Sequence, residues 1–341
     1  MLIYPRLETY KRGKLYMTKK LLRLSLFTLP LTIMSIGLAH AEEFSVWKNS
    51  FRQQALSQGI NAQVFDAAMA GISPIQKVIS LDKKQPERKL TFAQYQNNVI
   101  SQARINQGRA LYRKHYALLK EIEAKYGVQP QYVIALWGIE TSYGNNTGGY
   151  DVVPALATLA WEGRRRDFFE DELINALRIL QEGHIQQADF KGSWAGAMGQ
   201  NQFMPSSFKA YAVDYTGDGR RDIWTTLPDV FASTSNYLAK SGWNAGERWG
   251  REVALSRNLD PSLADLKITK PLSEWARLGV TTRWGQTLPT EPNLSASLVQ
   301  PDGPNGPSYL AYNNYKTIMK WNRSTYFATS VGILADAIVA Q

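Results

Sequence analysis

One carboxylic acid in the sequence lies in a setting that favours proton-transfer chemistry. Glu140 closes the apolar run 132–139, and Gly144 follows it closely. An acid at the end of an apolar helix loses hydration, and desolvation favours its neutral form. A carboxylic acid that keeps its proton near pH 7 can protonate a leaving oxygen. Glu140 is therefore the candidate catalytic acid, and the alternative is an ordinary acid at a helix end.

Glycosidic bond cleavage normally uses a second carboxylate as nucleophile or base. No other acid in the sequence has a comparable setting. Asp189 is a candidate without support, and five acids beside the arginine run 164–166 are typical of a solvated helix face. These five are Glu162, Asp167, Glu170, Asp171 and Glu172. A single acid in a chain with ten Trp and seventeen Tyr suggests that the substrate supplies its own nucleophile.

Three segments, in this order along the chain, resemble a known family. They are GIETSYG at 138–144, GAMG at 196–199 followed by QFMPSS at 202–207, and the stretch 314–324. Together they resemble the lytic murein transglycosylase B family, over essentially the whole exported chain. The family has an aromatic residue and a glycine before Gln202, where this chain has Gln200 and Asn201.

The resemblance implies a lysozyme-like core that cleaves the bond between N-acetylmuramic acid and N-acetylglucosamine in peptidoglycan. It also implies a 1,6-anhydromuramoyl product, with Glu140 as the sole acid and base and no cofactor for catalysis. Four residues match positions that line the sugar cleft in the family: Ser193, Gln202, Tyr237 and Asn314. Two alternatives stay open, since Tyr237 could be a core residue and Gln202 could hold its loop.

The loop 214–229 has the spacing of an EF-hand-like calcium site. Oxygen-bearing side chains stand at loop positions 1, 3, 5 and 9, a backbone carbonyl at position 7 and glycine at position 6. Position 12 is Thr225, which is not a carboxylate, and Asp229 resembles the residue that closes the site in the family. The predicted calcium ligands are Asp214, Thr216, Asp218, Arg220, Asp222 and Asp229. The alternative is a turn whose side chains bind their own backbone.

The elements that must position these residues are mostly helical. Periodic apolar residues predict helices from Phe44 onwards, one long amphipathic stretch over 92–125, and a final helix over 315–339. Short runs separated by Pro and Gly predict small strands over 253–310. We therefore expect a predominantly helical α+β fold with a lysozyme-like catalytic core, an N-terminal helical domain and a small C-terminal β subdomain.

The predicted divisions follow these patterns. An upstream extension precedes Met17, which we expect to be the initiator, and a signal peptide follows it because basic, apolar and small residues come in that order. The remaining divisions are a helical region, the catalytic core, the β subdomain and a C-terminal helix that returns to the helical region. In order, the ranges are 1–16, 17–41, 42–126, 127–252, 253–310 and 311–341.

Charge and cysteine content restrict the compartment and the partners. The net charge of +10 falls to +4 when the seven basic residues and one acid of 1–41 are removed. This suits an anionic envelope polymer, and the sequence shows no basic stripe with interleaved aromatics that would indicate nucleic acid. With no cysteine, there is no lipid attachment site. We expect a soluble periplasmic monomer without a membrane anchor, acting on peptidoglycan glycan strands.

Three other functions are compatible with parts of this pattern. A hydrolysing muramidase would need a second carboxylate facing Glu140. A catalytically silent glycan-binding protein would give no reason for an acid in a desolvated position. A calcium-dependent structural module is a remote alternative that rests on the 214–229 loop alone.

Overall fold

The computed structural model describes residues 43–84, 90–257 and 259–340, and within these ranges the chain is mainly helical. The helices that precede Gly144 are α1 (Phe44–Ser57), α2 (Ala62–Ala68), α3 (Gln76–Lys83), α4 (Phe92–Val99), α5 (Gln102–Lys114), α6 (Tyr116–Tyr126) and α7 (Pro130–Thr141). Those that follow are α8 (Val152–Glu162), α9 (Arg166–Gln181), α10 (Pro205–Tyr211), α11 (Leu227–Lys240), α12 (Leu272–Arg277), α13 (Asn313–Trp321) and α14 (Thr325–Val339).

The strands form two antiparallel sheets. A two-stranded ribbon pairs β1 (Tyr150–Asp151) with β2 (Lys191–Gly192) between α7 and α10. The larger sheet has the order β4-β6-β7-β3-β5. Its strands are β3 (Gly250–Ala254), β4 (Lys270–Pro271), β5 (Thr281–Thr282), β6 (Ser295–Val299) and β7 (Ser308–Ala311).

Helix α7 is the central element, and its end is built by unusual backbone geometry. Pro130 stands at its start, where the missing N–H is not needed, and ten of its twelve residues are buried. Ser142 and Tyr143 follow with φ of +50° and +61°, which turns the chain sharply. The ring of Tyr143 folds back so closely that a Cβ on Gly138 would lie 2.7 Å from it. Gly138 is therefore required at its position, because any side chain there would clash with the ring of Tyr143.

Apolar side chains form two separate cores. The first runs from α1 to α14 and surrounds α7, against which α5 and α14 pack. The second lies under the larger sheet and includes Leu272, Trp275 and Leu298. The prediction of a predominantly helical α+β fold with a small C-terminal sheet is confirmed.

Two predicted helices are divided in the structure. The stretch 92–125 contains α4, α5 and α6, because Ser101 caps a new helix through the backbone N–H of Arg104 and another break falls at His115. The predicted final helix is also divided, into α13 and α14. Asn322 accepts a hydrogen bond from the N–H of Ser324, whose hydroxyl caps α14 at Phe327. Capping side chains therefore override the continuous apolar pattern at these points.

Some predictions concern residues that the structure does not describe. The upstream extension 1–16 and the signal peptide 17–41 lie outside the described residues. The limits of the other divisions stay predictions. No helix within the described ranges is long and apolar enough to cross a membrane.

Candidate active site

Glu140 lies in the last turn of α7 and is only 7% exposed. Its Oε1 accepts a hydrogen bond of 2.8 Å from Nε1 of Trp321, at the end of α13. Burial raises the pKa of Glu140 to about 8, and the hydrogen bond from Trp321 opposes part of that rise. The acid is thus held mostly protonated near neutral pH by its apolar surroundings, with one donor ready to stabilise its anion.

Trp321 belongs to a cluster of aromatic rings that joins the three sequence segments. Its ring centroid lies 5.2 Å from that of Phe203, in the second segment, and 4.7 Å from that of Tyr237 on α11. Trp321 itself lies in the third segment. Sequence reasoning did not identify Trp321 as a site residue, although it is within the quoted stretch 314–324, because nothing in the local pattern shows which side chain reaches Glu140.

Tyr95 of α4 is a second site residue that sequence reasoning missed. It is 8% exposed, and burial, followed by the charge of Glu140, raises the pKa of its hydroxyl. Its ring is tilted against that of Tyr326 at 5.7 Å. Helix α4 therefore carries a buried tyrosine that is close enough to Glu140 to be influenced by its charge.

Tyr237 lies next to Trp321 at the site and supports it. The side chain is 9% exposed, and its hydroxyl donates a 2.7 Å hydrogen bond to the carbonyl of Lys320. That carbonyl is one of the free acceptors in the last turn of α13. Tyr211 packs on the other side of the Tyr237 ring at 4.4 Å. Tyr237 thus fixes the helix end that carries Trp321.

Gln202 holds two loops together near the same cluster. Its φ is +51°, and its Nε2 donates 3.0 Å hydrogen bonds to the carbonyls of Thr147 and Gly199. The two preceding residues, which depart from the family pattern, have structural contacts. Gln200 accepts from the indole of Trp137, and the amide of Asn201 donates to the carbonyl of Val230. Both residues therefore tie the loop around Gln202 to neighbouring elements.

Ser193 directly follows β2. Its hydroxyl oxygen accepts hydrogen bonds from the N–H groups of Ala197 at 3.0 Å and Ala195 at 3.3 Å. The side chain is 9% exposed. It shapes the turn 193–197 and leaves a small part of its surface on the protein exterior.

Asn314 lies away from any surface that a sugar could reach. It is fully buried, and its Nδ2 donates to the carbonyls of Asn244 and Glu247 at 2.8 and 2.7 Å. Its Oδ1 accepts from the N–H of Asn244 at 2.7 Å. This placement does not support the predicted sugar contact, because the whole amide is occupied by the turn 244–247.

The structure places the other candidate carboxylates in different environments. The sequence predicts that Glu172 lies on a solvated helix face, but the residue is only 3% exposed. Its carboxylate caps α10 by accepting from the N–H and hydroxyl of Ser206 at 2.8 and 2.6 Å. Within the described residues, Glu140 accepts a hydrogen bond from Trp321, and no second carboxylate contributes to the shift of its pKa.

The carboxylates of the 214–229 loop bind backbone N–H groups. Asp214 accepts from Gly217 and Gly219 at 2.6 and 2.8 Å, and Asp229 accepts from Tyr215 and Asp222 at 2.9 and 2.8 Å. The remaining predicted ligands are Thr216, Asp218, Arg220 and Asp222.

This arrangement corresponds to the hydrogen-bonded turn that the sequence left as an alternative. Asp229 is fully buried. Its burial raises the pKa of the carboxyl, against three backbone hydrogen bonds that lower it. In the part of the chain that the structure describes, no three His, Cys, Asp or Glu side chains converge as a metal site. Calcium binding here stays a prediction.

The chain is similar to known proteins over most of its length. Residues 43–336 match the family described as Transglycosylase SLT domain. Membrane-bound lytic murein transglycosylase B of Escherichia coli (strain K12) is 33% identical over 248 residues. The match covers 72% of this chain and 66% of that relative, just under two thirds of its length.

Two solved structures have the same fold. SltB3 from Pseudomonas aeruginosa, in complex with NAG-anhNAM-pentapeptide, has a TM-score of 0.85 at 45% identity, with 87% of this chain and 80% of that chain covered. The Escherichia coli lytic transglycosylase Slt35, in complex with calcium, has a TM-score of 0.74 at 28% identity, with 85% and 92% covered. The chain belongs to the Transglycosylase SLT domain family.

Proposed function

We propose that this protein is a lytic transglycosylase that cleaves the β-1,4 bond between N-acetylmuramic acid and N-acetylglucosamine in peptidoglycan, forming 1,6-anhydromuramoyl ends. The observation that carries the proposal is the buried acid Glu140, whose pKa is about 8 and whose carboxylate accepts one hydrogen bond, from an indole. A group with a pKa near the working pH can serve as acid and then as base in one cycle.

In the first step Glu140 acts as an acid. With a pKa of about 8, roughly nine-tenths of the carboxyl groups are protonated at pH 7. The proton passes to the glycosidic oxygen as the bond between that oxygen and muramoyl C1 breaks. Because Oε1 accepts from Trp321, Oε2 is the oxygen that carries and delivers the proton. The 2-acetamido group of the muramoyl sugar can assist at C1.

In the second step the same group acts as a base. The carboxylate of Glu140 takes the proton from the C6 hydroxyl, and O6 forms the new bond to C1. One bond to C1 is lost and one is gained, and the proton count of Glu140 returns to its starting value. Trp321 stabilises the carboxylate between the two steps, because its N–H hydrogen bond favours the charged form. No water enters the product.

The relatives support this product over a hydrolytic one. SltB3 was solved with NAG-anhNAM-pentapeptide, which contains the anhydro sugar. A hydrolysing muramidase would need a second carboxylate across the sugar from Glu140, about 5–10 Å away. Among the described residues, the influences on the pKa of Glu140 are its burial and the Trp321 indole, and no carboxylate is one of them. A silent glycan-binding protein would leave the buried, protonated acid without a purpose.

The finer parts of the function follow from the same proposal. In this proposal Ser193 and Gln202 remain candidate sugar-binding residues, and Tyr237 supports the helix end that carries Trp321. Export by the signal peptide 17–41 would deliver the enzyme to the periplasm as a monomer. Peptidoglycan glycan strands are the proposed partner.

The products of digestion test the proposal. Purified murein is digested with the wild-type protein, and the soluble muropeptides are weighed by mass spectrometry. Anhydro ends are expected, and products heavier by one water would identify a hydrolase instead. Glu140→Gln should abolish turnover while sacculus binding persists. The matched control is Glu121→Gln, at an exposed position of α6, which should retain normal turnover.

A further inference from the structure

Trp284 is a large aromatic side chain left in water. It is 74% exposed, the highest value among the large hydrophobic side chains that the structure describes. It stands at the tip of a tight turn after β5, where the N–H of Gly285 donates to the carbonyl of Thr282 at 2.9 Å. Because indole burial stabilises a fold, an exposed Trp at a turn tip suggests a binding role.

The indole contacts one charged group, which itself belongs to an ion pair. The guanidinium carbon of Arg283 lies 4.4 Å from the Trp284 ring centroid. Nη1 of Arg283 in turn donates to Oε2 of Glu252 on β3 at 2.9 Å. Arg283 therefore occupies one side of the ring. With most of the side chain exposed, the ring retains an open surface next to a donor and an acceptor.

A series of contacts leads from this turn to Tyr95 of α4. Glu252 pairs in register with Tyr309 of β7, and the pKa of Tyr309 is affected by its burial and by the charges of Glu252 and Arg283. From Tyr309, ring contacts of 6.2, 5.3 and 5.7 Å lead through α4 towards Glu140. The rings in this series are Tyr309, Phe92, Tyr326 and Tyr95.

We propose that Trp284, Arg283 and Glu252 form a secondary binding site for a sugar ring of the peptidoglycan strand, outside the Glu140 cleft. This inference rests on the proposed function for the identity of the polymer. The C–H face of a pyranose stacks on the open indole surface. The guanidinium and carboxylate bind its hydroxyl and acetamide groups. The site would hold the enzyme on its insoluble substrate between cleavage events.

The surroundings favour a glycan over a protein partner. A stable protein interface buries about 800 Å² on each side, with an apolar centre. The other exposed large hydrophobic side chains are on different elements, namely Val46, Tyr116, Leu278 and Val339. One ring flanked by an ion pair matches the size and polarity of a single sugar.

The test measures binding to purified murein sacculi by sedimentation in the Glu140→Gln background, where the substrate is not consumed. Trp284→Leu, which removes the flat ring, should weaken binding about five- to tenfold. Trp284→Tyr, which keeps a flat ring, should bind within about twofold of the parent. Tyr116→Leu is the matched control at another exposed aromatic residue and should bind like the parent.

Turnover of a short soluble muropeptide by Trp284→Leu, with Glu140 intact, completes the test. Normal turnover is expected, because the short substrate does not reach the turn. Equal sacculus binding by the Leu and Tyr variants would overturn the proposal. A loss of turnover on the short substrate as large as the loss of sacculus binding would also overturn it. Neither result would affect the proposed function, which depends on the products of the enzyme with Trp284 intact.

Discussion

The chemistry of Glu140 depends on a residue far away in the sequence. Trp321 is 181 positions away, yet it supplies the hydrogen bond to the acid. The apolar run before Glu140 was sufficient to predict a desolvated acid, because that effect is local. The donor could not be predicted, because its position depends on how α13 packs against α14, which lies on α7, and on the support that Tyr237 gives to the last turn of α13.

Trp321→Phe should raise the pKa of Glu140 further above about 8. The change keeps the ring and removes the N–H that stabilises the anion. The alkaline limb of the profile of kcat/KM against pH should therefore move to higher pH. The maximal rate should fall about tenfold, because the carboxylate of the second step loses a charge-assisted hydrogen bond.

The matched control for Trp321→Phe is Trp243→Phe. Trp243 also donates an indole hydrogen bond of 2.9 Å to a side-chain oxygen, that of Gln129 at the start of α7. Its loss should leave the alkaline limb in place. An unchanged alkaline limb in Trp321→Phe would contradict the role given to this hydrogen bond.

Glu140→Gln should become more stable than the wild type as the pH rises. The folded pKa of about 8 is above the unfolded value of 4.5, so between these values the folded state binds more protons than the unfolded state. Wild-type stability therefore falls as the pH rises through this window, and the loss is complete above pH 8.

Glutamine has no proton to lose, so the variant lacks this dependence. The difference in unfolding free energy should be small at pH 4 and reach a few kcal/mol, as an order of magnitude, at pH 9. Denaturant titrations at both values measure it. A difference that does not change with pH would mean that Glu140 ionises normally in the folded protein.

At the level of single elements, the sequence predicted the helices better than their ends and their polar contacts. Periodic apolar residues located the helical regions, but the caps at Ser101 and Ser324 divided two of them. The sequence predicts that Glu172 faces solvent and that Asn314 lines the sugar cleft. Their burial depends on the neighbouring α10 and the turn 244–247, which no local pattern shows.

Weak calcium binding by the 214–229 loop stays our prediction, and its contacts define a test. An ion would compete with the backbone N–H groups that now bind Asp214. We expect millimolar Ca²⁺ to raise the melting temperature by about 1–3 °C relative to chelator. In Asp214→Asn the difference should disappear, because the first ligand is lost. Identical melting of the wild type in both buffers would contradict calcium binding.

For the whole molecule, the sequence predicted the fold class and the family, and both are confirmed. Pro- and Gly-separated runs indicated the small sheet, whose strands lie between Gly250 and Ala311. The proposal that this part is a separate β subdomain rests on its own apolar core. Contacts such as that between Tyr309 and Phe92 at 6.2 Å still join it to the helices.

Trp275→Ala tests whether the β subdomain is an independent cooperative unit. Trp275 is fully buried, and its Nε1 donates to the carbonyl of Ala296 at 3.0 Å. The cavity and the lost hydrogen bond should destabilise the second core by about 3–5 kcal/mol. Hydrogen exchange measured by mass spectrometry should then accelerate over 253–310, while α7 stays protected.

Phe169→Ala is the matched change in the first core, where Phe169 is 2% exposed. It should accelerate exchange in α8 and α9 and leave the sheet protected. If Trp275→Ala instead accelerated exchange equally in α7 and in the sheet, the two cores would unfold as one unit. The proposed boundary at 253 would then mark only a change from helices to strands, since the regions on its two sides would unfold together.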